Sequence, residues 1–163
     1  MREIPLTREG LVALVDDEDY PLASRFAWTP SLRRQTCYAY CAMRVGGRWT
    51  TRTMHRLLMR PDPGLVVDHI NGNGLDNRRC NLRVCTQSQN VANQRAHVGT
   101  SSRYRGVSRL RNGRWQVGIY HDGRRRFIGN FEDEVDGALA YDLSALSVFG
   151  EFARPNFLEV HCA

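Results

Sequence analysis

"VVDHINGNGLDNRRCNLRVCTQSQN", residues 66–90, decides how this chain is read. It holds five asparagines. Those at 71, 73 and 77 sit among glycines and read as turn formers. Asn81 and Asn90 do not, because each lies inside or beside an apolar run. "LVVDHI" reads as a strand, "NGNGLDNRRC" as a loop, "NLRVCT" as a second strand and "QSQNVANQR" as a helix. Thr86 and Gln89 form a capping box that marks the helix start, which sets Asn90 one turn in, facing back toward the strand pair. The unit is therefore β–loop–β–α, with a carboxylate and an imidazole on its first strand and an amide on its helix.

An oxygen pair from Asp68 and Asn90 suits a hard divalent cation such as Mg²⁺, which takes few protein oxygens and keeps several waters. His69 can accept a proton from an attacking water near neutral pH. Asn81 lies across the loop, where its amide can bond the loop backbone and hold His69 in orientation. A calcium loop is excluded: counted from Asp68, position 3 is Ile70, position 6 is Asn73 and position 12 is Arg79, where oxygen ligands, Gly and Glu are needed. Cys80 and Cys85 have no second pair, too little for structural zinc. Simple turn capping is the alternative for these four residues, but it does not require an asparagine at 90 inside a helix.

"MHRLLM" followed by this tract resembles the HNH endonucleases of homing-enzyme type, over roughly residues 54–94. The spacing agrees as well as the letters: His69 to Asn81 is twelve residues and Asn81 to Asn90 nine. The resemblance implies a ββα-metal finger in which His69 is the general base, Asp68 and Asn90 hold one Mg²⁺ or Mn²⁺, and Asn81 is the middle asparagine that orients the loop. Asn90 stands where many such enzymes carry histidine, which fits the Asp/Asn-liganded subgroup. His55 and Arg56 match an "HR" pair that often precedes the finger; His55 reads as accessory, with packing or a phosphate contact as its alternatives. Arg56, Arg78, Arg79 and Arg83 read as phosphate clamps or as solvated surface.

All 23 basic residues are arginine, and the net charge is +6. Residues 1–31 carry −3, 32–100 carry +8, 101–130 carry +7 and 131–163 carry −6. A strongly positive middle between acidic ends predicts a polyanion-binding face. No apolar run approaches the ~18 residues of a membrane span. The start, "MREIPLTREG", lacks the apolar core of a signal peptide, and five cysteines without paired metal spacing suit a reducing compartment. The expectation is an intracellular, cytoplasmic protein of bacterial or phage origin.

Four segments are expected: a β-rich segment over 1–54, the HNH finger over 55–95, a linker over 96–102 ("AHVGTSS") and a second domain over 103–158. In the first, "LVALVD", "CYAYCAMRV" and "GGRWTTRTMHRLLM" read as strands and turns, with Cys37, Ala39, Cys41 and Met43 on one face by alternation. The acidic turn Asp16–Asp19 reads as a solvated bend. In the last, "YRGVSRL", "RWQVGIY" and "RRRFIGNF" read as strands and "EDEVDGALAYDLSALSVFG" as a helix stopped by Gly150. Its stripe is Val135, Ala138, Leu139, Leu146 and Phe149, and Asp142 on that stripe needs a buried donor.

"YRGV" (104–107), "GRW" (113–115), "GRRRFIGNF" (123–131), "AYD" (140–142) and "NF" (156–157) resemble, in order, the APETALA-type, ethylene-response-factor-like DNA-binding domain. The resemblance implies a three-stranded sheet in the major groove. By alternation Trp115, Val117 and Ile119 face the helix, while Arg114, Gln116 and Tyr120 face DNA. Arg125 and Phe127 point outward with them, Ile128 inward, and Arg105, Arg109 and Arg111 complete the outward set. Gly118 removes one base-reading side chain relative to the plant proteins.

The fold expected is α+β: a ββα-metal finger with a β-rich N-terminal segment, plus a three-stranded antiparallel sheet packed on one helix. The function expected is site-selective, metal-dependent hydrolysis of double-stranded DNA, nicking one strand per finger, by a monomer or weak dimer with no membrane or small-molecule partner. The rival is a non-catalytic, sequence-specific DNA-binding transcriptional regulator. RNA cleavage is less favoured, because single-strand binding uses more exposed aromatics.

Overall fold

The computed structural model describes residues 1–8, 10–33, 36–94, 101–121 and 123–157. The chain forms two compact units, one of Met1–Thr86 and one that begins at Gln87. Both mix small antiparallel sheets with short helices.

The first unit opens with β1 (Arg2–Pro5) and β2 (Val12–Val15), paired antiparallel so that Ile4 faces Ala13. Helix α1 (Tyr20–Ala23) leads to β3 (Thr29–Leu32), β4 (Cys37–Val45) and β5 (Arg48–Thr53), a sheet ordered β3-β4-β5. The core gathers Ile4, Val15, Trp28, Ala39, Cys41, Met54 and Leu58, and the buried Trp28 indole donates to Ala23 O at 2.8 Å. The extended reading of "TMHRLLM" is corrected: β5 ends at Thr53 and Met54–Met59 is helix α2. Met54, His55 and Leu58 are its buried residues, spaced at one helical turn. Strands β6 (Val66–His69) and β7 (Leu82–Cys85) pair antiparallel across the loop.

The second unit contains α3 (Gln87–Ala92), β8 (Val107–Arg109), β9 (Trp115–His121), β10 (Arg124–Phe131) and α4 (Glu134–Phe149). The sheet order is β10-β9-β8, and α4 packs on all three strands. Most of the segment read as a linker lies outside the described residues. Its last two residues are anchored, Ser102 Oγ donating to Glu134 Oε1 at 2.7 Å and Ser101 Oγ accepting from Arg109 N at 2.9 Å. Asp133 caps α4 by accepting from Val135 N and Asp136 N. Among the described residues no helix is long and apolar enough to cross a membrane.

The apolar stripe read on α4 is corrected. Val135, Leu139 and Leu146 are exposed, whereas Gly137, Ala138, Tyr141, Asp142 and Ala145 are buried. Close approach decides this: a Cβ on Gly137 would lie 3.0 Å from Val117 Cγ2, so small residues face the sheet and larger apolar ones are turned outward. Asp142 finds its donors in Asn156 N at 2.7 Å, Asn156 Nδ2 at 2.9 Å and Phe157 N at 3.1 Å. Asn156 Oδ1 in turn accepts from Arg105 N at 2.7 Å, so a buried carboxylate ties the chain end to the start of the domain.

Gly106 packs against Tyr141: with φ at +77°, its Cβ would lie 2.0 Å from Tyr141 Cδ2. Gly113 has a similar φ of +84° with nothing within 4 Å. Gly106→Ala therefore adds steric overlap to the same backbone strain. It is expected to lower the stability of this unit by about 1–3 kcal/mol more than Gly113→Ala, measured by thermal denaturation. Equal losses in the two variants would contradict the packing.

Candidate active site

Antiparallel register sets Asp68 opposite Arg83 and His69 opposite Leu82. Asp68 and His69 are each only 5% exposed. Arg83 donates to Asp68 Oδ2 through Nε at 3.0 Å and Nη2 at 2.8 Å, so this buried carboxylate has a cationic partner.

The loop between the strands is held from within. Asn81 is fully buried; its Oδ1 accepts from Asn71 N at 2.9 Å and its Nδ2 donates to Asp76 O at 2.7 Å. Its backbone carbonyl accepts from Ile70 N at 2.9 Å. Asn71 and Asn73 make the local turn bonds that asparagines favour, accepting from Asn73 N at 2.8 Å and Leu75 N at 3.1 Å. Strand β2 pins the loop from outside, through Leu14 N to Leu75 O and Asn77 N to Leu14 O, each 2.8 Å. Gly74 approaches so closely that a Cβ there would sit 2.5 Å from Cys37 O and from Tyr38 Cδ1.

Around His69 stand two rings. His55, from α2, meets it edge-on with centroids 4.9 Å apart, and Tyr38, from β4, lies 5.6 Å from His69 and 5.4 Å from His55. Burial pushes the His69 imidazole below the ordinary histidine range, against the Asn77 carboxamide, Asp68 and Asp76, which pull the other way. His55 is driven down to about 3 by burial first, then by His69 and Arg56. Its Nε2 lies 3.1 Å from Thr53 Oγ1. Burial, and then the Asp68 charge, raise the Tyr38 hydroxyl. His69 is thus a neutral imidazole at pH 7, walled by a second neutral imidazole and a phenol.

Two of these neighbours were not read from the sequence. Asn77 was taken as a turn former, yet it is fully buried, its Nδ2 donating to Leu75 O at 3.1 Å. Tyr38 occupies the face of β4 opposite its buried Ala39 and Cys41. The loop covers that face, Gly74 lying against Tyr38.

Three of the four arginines read as phosphate clamps or solvated surface, Arg78, Arg79 and Arg83, are engaged with carboxylates. Arg78 holds Asp76 at 2.7 Å through Nε and through Nη2. Burial works to raise the Asp76 carboxyl, but Arg78 and Asn71 outweigh it and hold the group below its usual range. Arg79 forks onto Asp19 with both contacts at 2.8 Å, and its backbone N donates to Asp16 at 2.7 Å. The acidic turn is therefore the loop's docking partner and not a solvated bend; a buried carboxylate such as Asp19 needs a fork-shaped donor. Arg83 is held by Asp68.

On the second unit, the outward set divides. Tyr120 and Phe127 are 67% and 63% exposed, and register places them with Gln116 and Arg125 on the face away from α4. Arg114 Nη2 donates to Asn130 O at 3.1 Å. Arg109 is corrected: it pairs with Trp115 and lays its guanidinium 5.6 Å from that indole, on the helix side. Arg105 is also corrected. Its guanidinium donates to Ala92 O, to Gln94 O at 2.7 Å and to Val91 O at 2.9 Å, capping the carbonyls that a helix end leaves without partners. Helix α3, which carries Asn90, is thereby mounted on the second unit, whereas Asp68, His69 and Asn81 belong to the first. Asn90 is half-buried. A bulge between Phe127 and Gly129 turns Ile128 toward the core.

Residues 60–92 match the HNH endonuclease family model. Over 153 residues, 93% of this chain and 78% of the relative, the sequence is 29% identical to an uncharacterized HNH endonuclease of Acanthamoeba polyphaga mimivirus. The chain thus carries an HNH endonuclease domain, and it is an enzyme of that kind. Shorter similarities reach two plant proteins. One, of Oryza sativa subsp. japonica, is an AP2/ERF and B3 domain-containing protein, 47% identical over 57 residues, 35% of this chain and 16% of that protein. The other, of Arabidopsis thaliana, is an AP2/ERF and B3 domain-containing transcription repressor, 34% identical over 74 residues, 45% of this chain and 20% of that protein. The chain spans a fifth or less of the length of either plant relative.

HNH endonucleases use a divalent metal. Asp68 and Asn90 are oxygen donors of the kind Mg²⁺ prefers. Among the described residues no group of three or more His, Cys, Asp or Glu is placed to hold a metal ion. The donor chemistry fits a hard cation, with Asp68 sharing its carboxylate with Arg83.

The depressed His55 pKa makes stability depend on pH. The unfolded histidine titrates near 6.5 and the folded one at about 3, so between these values the unfolded chain binds the extra proton. Stability is complete above about pH 6.5 and falls as pH drops toward the folded value. The thermal midpoint of the wild type is expected to fall between pH 7 and pH 5, and that of His55→Gln to fall less. A variant that loses as much as wild type would refute the assignment.

Proposed function

We propose that the chain is a site-selective DNA endonuclease of homing type, which hydrolyses one phosphodiester per HNH site and so nicks one strand of a duplex. The observation that supports this reading most is the neutral, walled-in His69 beside a loop held by the buried Asn81. In this reading His69 takes the proton from a water as that water attacks phosphorus, and the bond to the 3′-oxygen breaks. Asn81 fixes the loop so that the imidazole needs no reordering when the phosphate arrives. His55 and Tyr38 exclude water from one side of the ring. Asp68 and Asn90 would hold a divalent cation, Mg²⁺ or Mn²⁺, which when bound stabilises the charge that develops on phosphate and leaving oxygen. These elements would form a ββα-metal finger.

Site choice would come from the outer face of the sheet in the second unit, which the plant similarity likens to an ethylene-response-factor-type DNA reader. Gln116, Tyr120, Arg125 and Phe127 would meet base edges in the major groove, with Arg111 and Arg114 on phosphate or guanine. A regulatory reading, DNA binding without cleavage, is favoured by the likeness to a plant transcription repressor, but it leaves the geometry around His69 without a task.

Supercoiled plasmid with Mg²⁺ separates the two. Wild type is expected to give nicked circles, and His69→Ala to lower the rate by about 10²–10⁴-fold with DNA affinity retained. The wild-type rate should be level around neutral pH and fall only at acid pH, where the lowered His69 pKa is reached. Equal inertness of both proteins across Mg²⁺, Mn²⁺ and many targets would establish the regulator instead.

A further inference from the structure

Arg78, Arg79 and Arg83 are held by acids, and among the described residues of the first unit Arg52, Arg56 and Arg60 gather where no carboxylate lines the surface. We propose that a concavity between the β4–β5 hairpin and α2 grips the sugar–phosphate backbone of duplex DNA through Arg52, Arg56 and Arg60. This rests on the reading of the chain as a DNA endonuclease and extends it to the N-terminal segment, which neither that reading nor any relative provides with a role.

Register builds the site. Cys41 pairs with Arg52, Met43 with Thr50 and Val45 with Arg48, so these side chains share one face of the hairpin. Helix α2 covers the base of that face and carries Arg56, and Arg60 follows at its left-handed C-cap; both line the cavity. The cavity between them holds about 310 Å³ and is lined by Arg52, Arg56 and Arg60 with Met43, Val45, Leu57 and Pro61. No carboxylate lines it. Arg48, on the same face near the hairpin tip, adds a fourth positive charge.

The side chains are placed for an anion. Among the described residues neither the Arg52 nor the Arg60 side chain makes an ion pair or hydrogen bond, and both are exposed. Arg56 is steadied by its Nη1 contact to Leu65 O at 3.2 Å. Arg60 reaches the cavity from a left-handed backbone with φ at +45°, the one non-glycine residue with positive φ among those described. Glycine or asparagine would relieve that strain at a helix end; an arginine there points to a use for the side chain. Guanidinium groups fork onto phosphate oxygens, and the Met43, Val45 and Leu57 surface matches the apolar side of a deoxyribose. A sugar–phosphate chain has both features along its length.

The same helix serves the reaction centre from its other side. His55 meets His69 edge-on, while Arg56 bonds the carbonyl of Leu65, the residue before β6. A backbone phosphate held here would thus be referenced to the strand that bears Asp68 and His69.

The test uses the full chain, without Mg²⁺, binding a fluorescent duplex across a range of NaCl. Arg52→Gln/Arg60→Gln is compared with Arg8→Gln/Arg25→Gln, a control that removes the same charge from exposed positions of the same unit. Each phosphate contact contributes about 0.9 to the slope of log affinity against log salt, so the cavity pair is expected to lower that slope by about 1.8 and the control pair not at all. Arg52→Lys/Arg60→Lys, which keeps the charge, should retain the slope. If the wild type binds duplex with a steep slope that the cavity pair leaves unchanged, or if the control or the lysine pair loses as much, the grip is refuted while the endonuclease reading stands. A wild type with no salt-dependent duplex binding overturns both.

Discussion

A carboxamide with no access to solvent holds the first unit's chemistry together. Asn81 must satisfy a donor and an acceptor inside the protein or cost several kcal/mol. It does so with Asn71 N on one side of the loop and Asp76 O on the other, groups that have no regular ladder of their own. One side chain therefore supplies what a turn of ten residues cannot supply for itself. Once the loop is closed, Leu75 and Asn77 bond Leu14 of β2, Gly74 comes against Tyr38, and Tyr38 and His55 enclose His69. Each contact is weak alone and depends on the loop being where Asn81 holds it.

Charge is distributed by the same logic. A net positive protein could present all its arginines to a polyanion, yet Arg78, Arg79 and Arg83 are each matched with a carboxylate that is itself buried. Such pairs contribute little simply as charges, but removing one partner leaves the other stranded in a poor dielectric. They act here as fasteners, Arg79 joining the loop to the acidic turn and Arg83 joining β7 to Asp68 on β6. Among the remaining arginines, Arg52, Arg56 and Arg60 line the α2–hairpin concavity and Arg125 lies on the outer face of the second unit's sheet, where the positive field is free to act on a ligand.

Much of this was legible in the sequence because it is local. Alternation and turn chemistry located β6, the loop, β7 and α3, and the helical position of Asp142 required the buried donors that Asn156 and Phe157 provide. Asn81 stood out as an asparagine that no turn called for. What escaped depends on residues far apart in sequence. Arg79 meets Asp19 across 60 residues, so neither clamp nor acidic turn could be read correctly alone. Tyr38 and Asn77 gain their positions from the loop's tertiary docking, and periodicity assigns faces without saying what covers them. The face of α4 was misread because close packing on a sheet selects small residues over apolar ones. Arg105 looked like a DNA-facing arginine until the carbonyls at the end of α3 claimed it.

The central claim is that Asn81 fixes the loop that sets His69, and amide hydrogen exchange at Asn71 probes it most directly, since that N–H bonds the Asn81 side chain. The account predicts that Asn71 is strongly protected in the wild type and exchanges orders of magnitude faster in Asn81→Ala, with the β1 amides unchanged. An Asn71 amide that exchanges in the wild type as fast as those of open surface loops would contradict it.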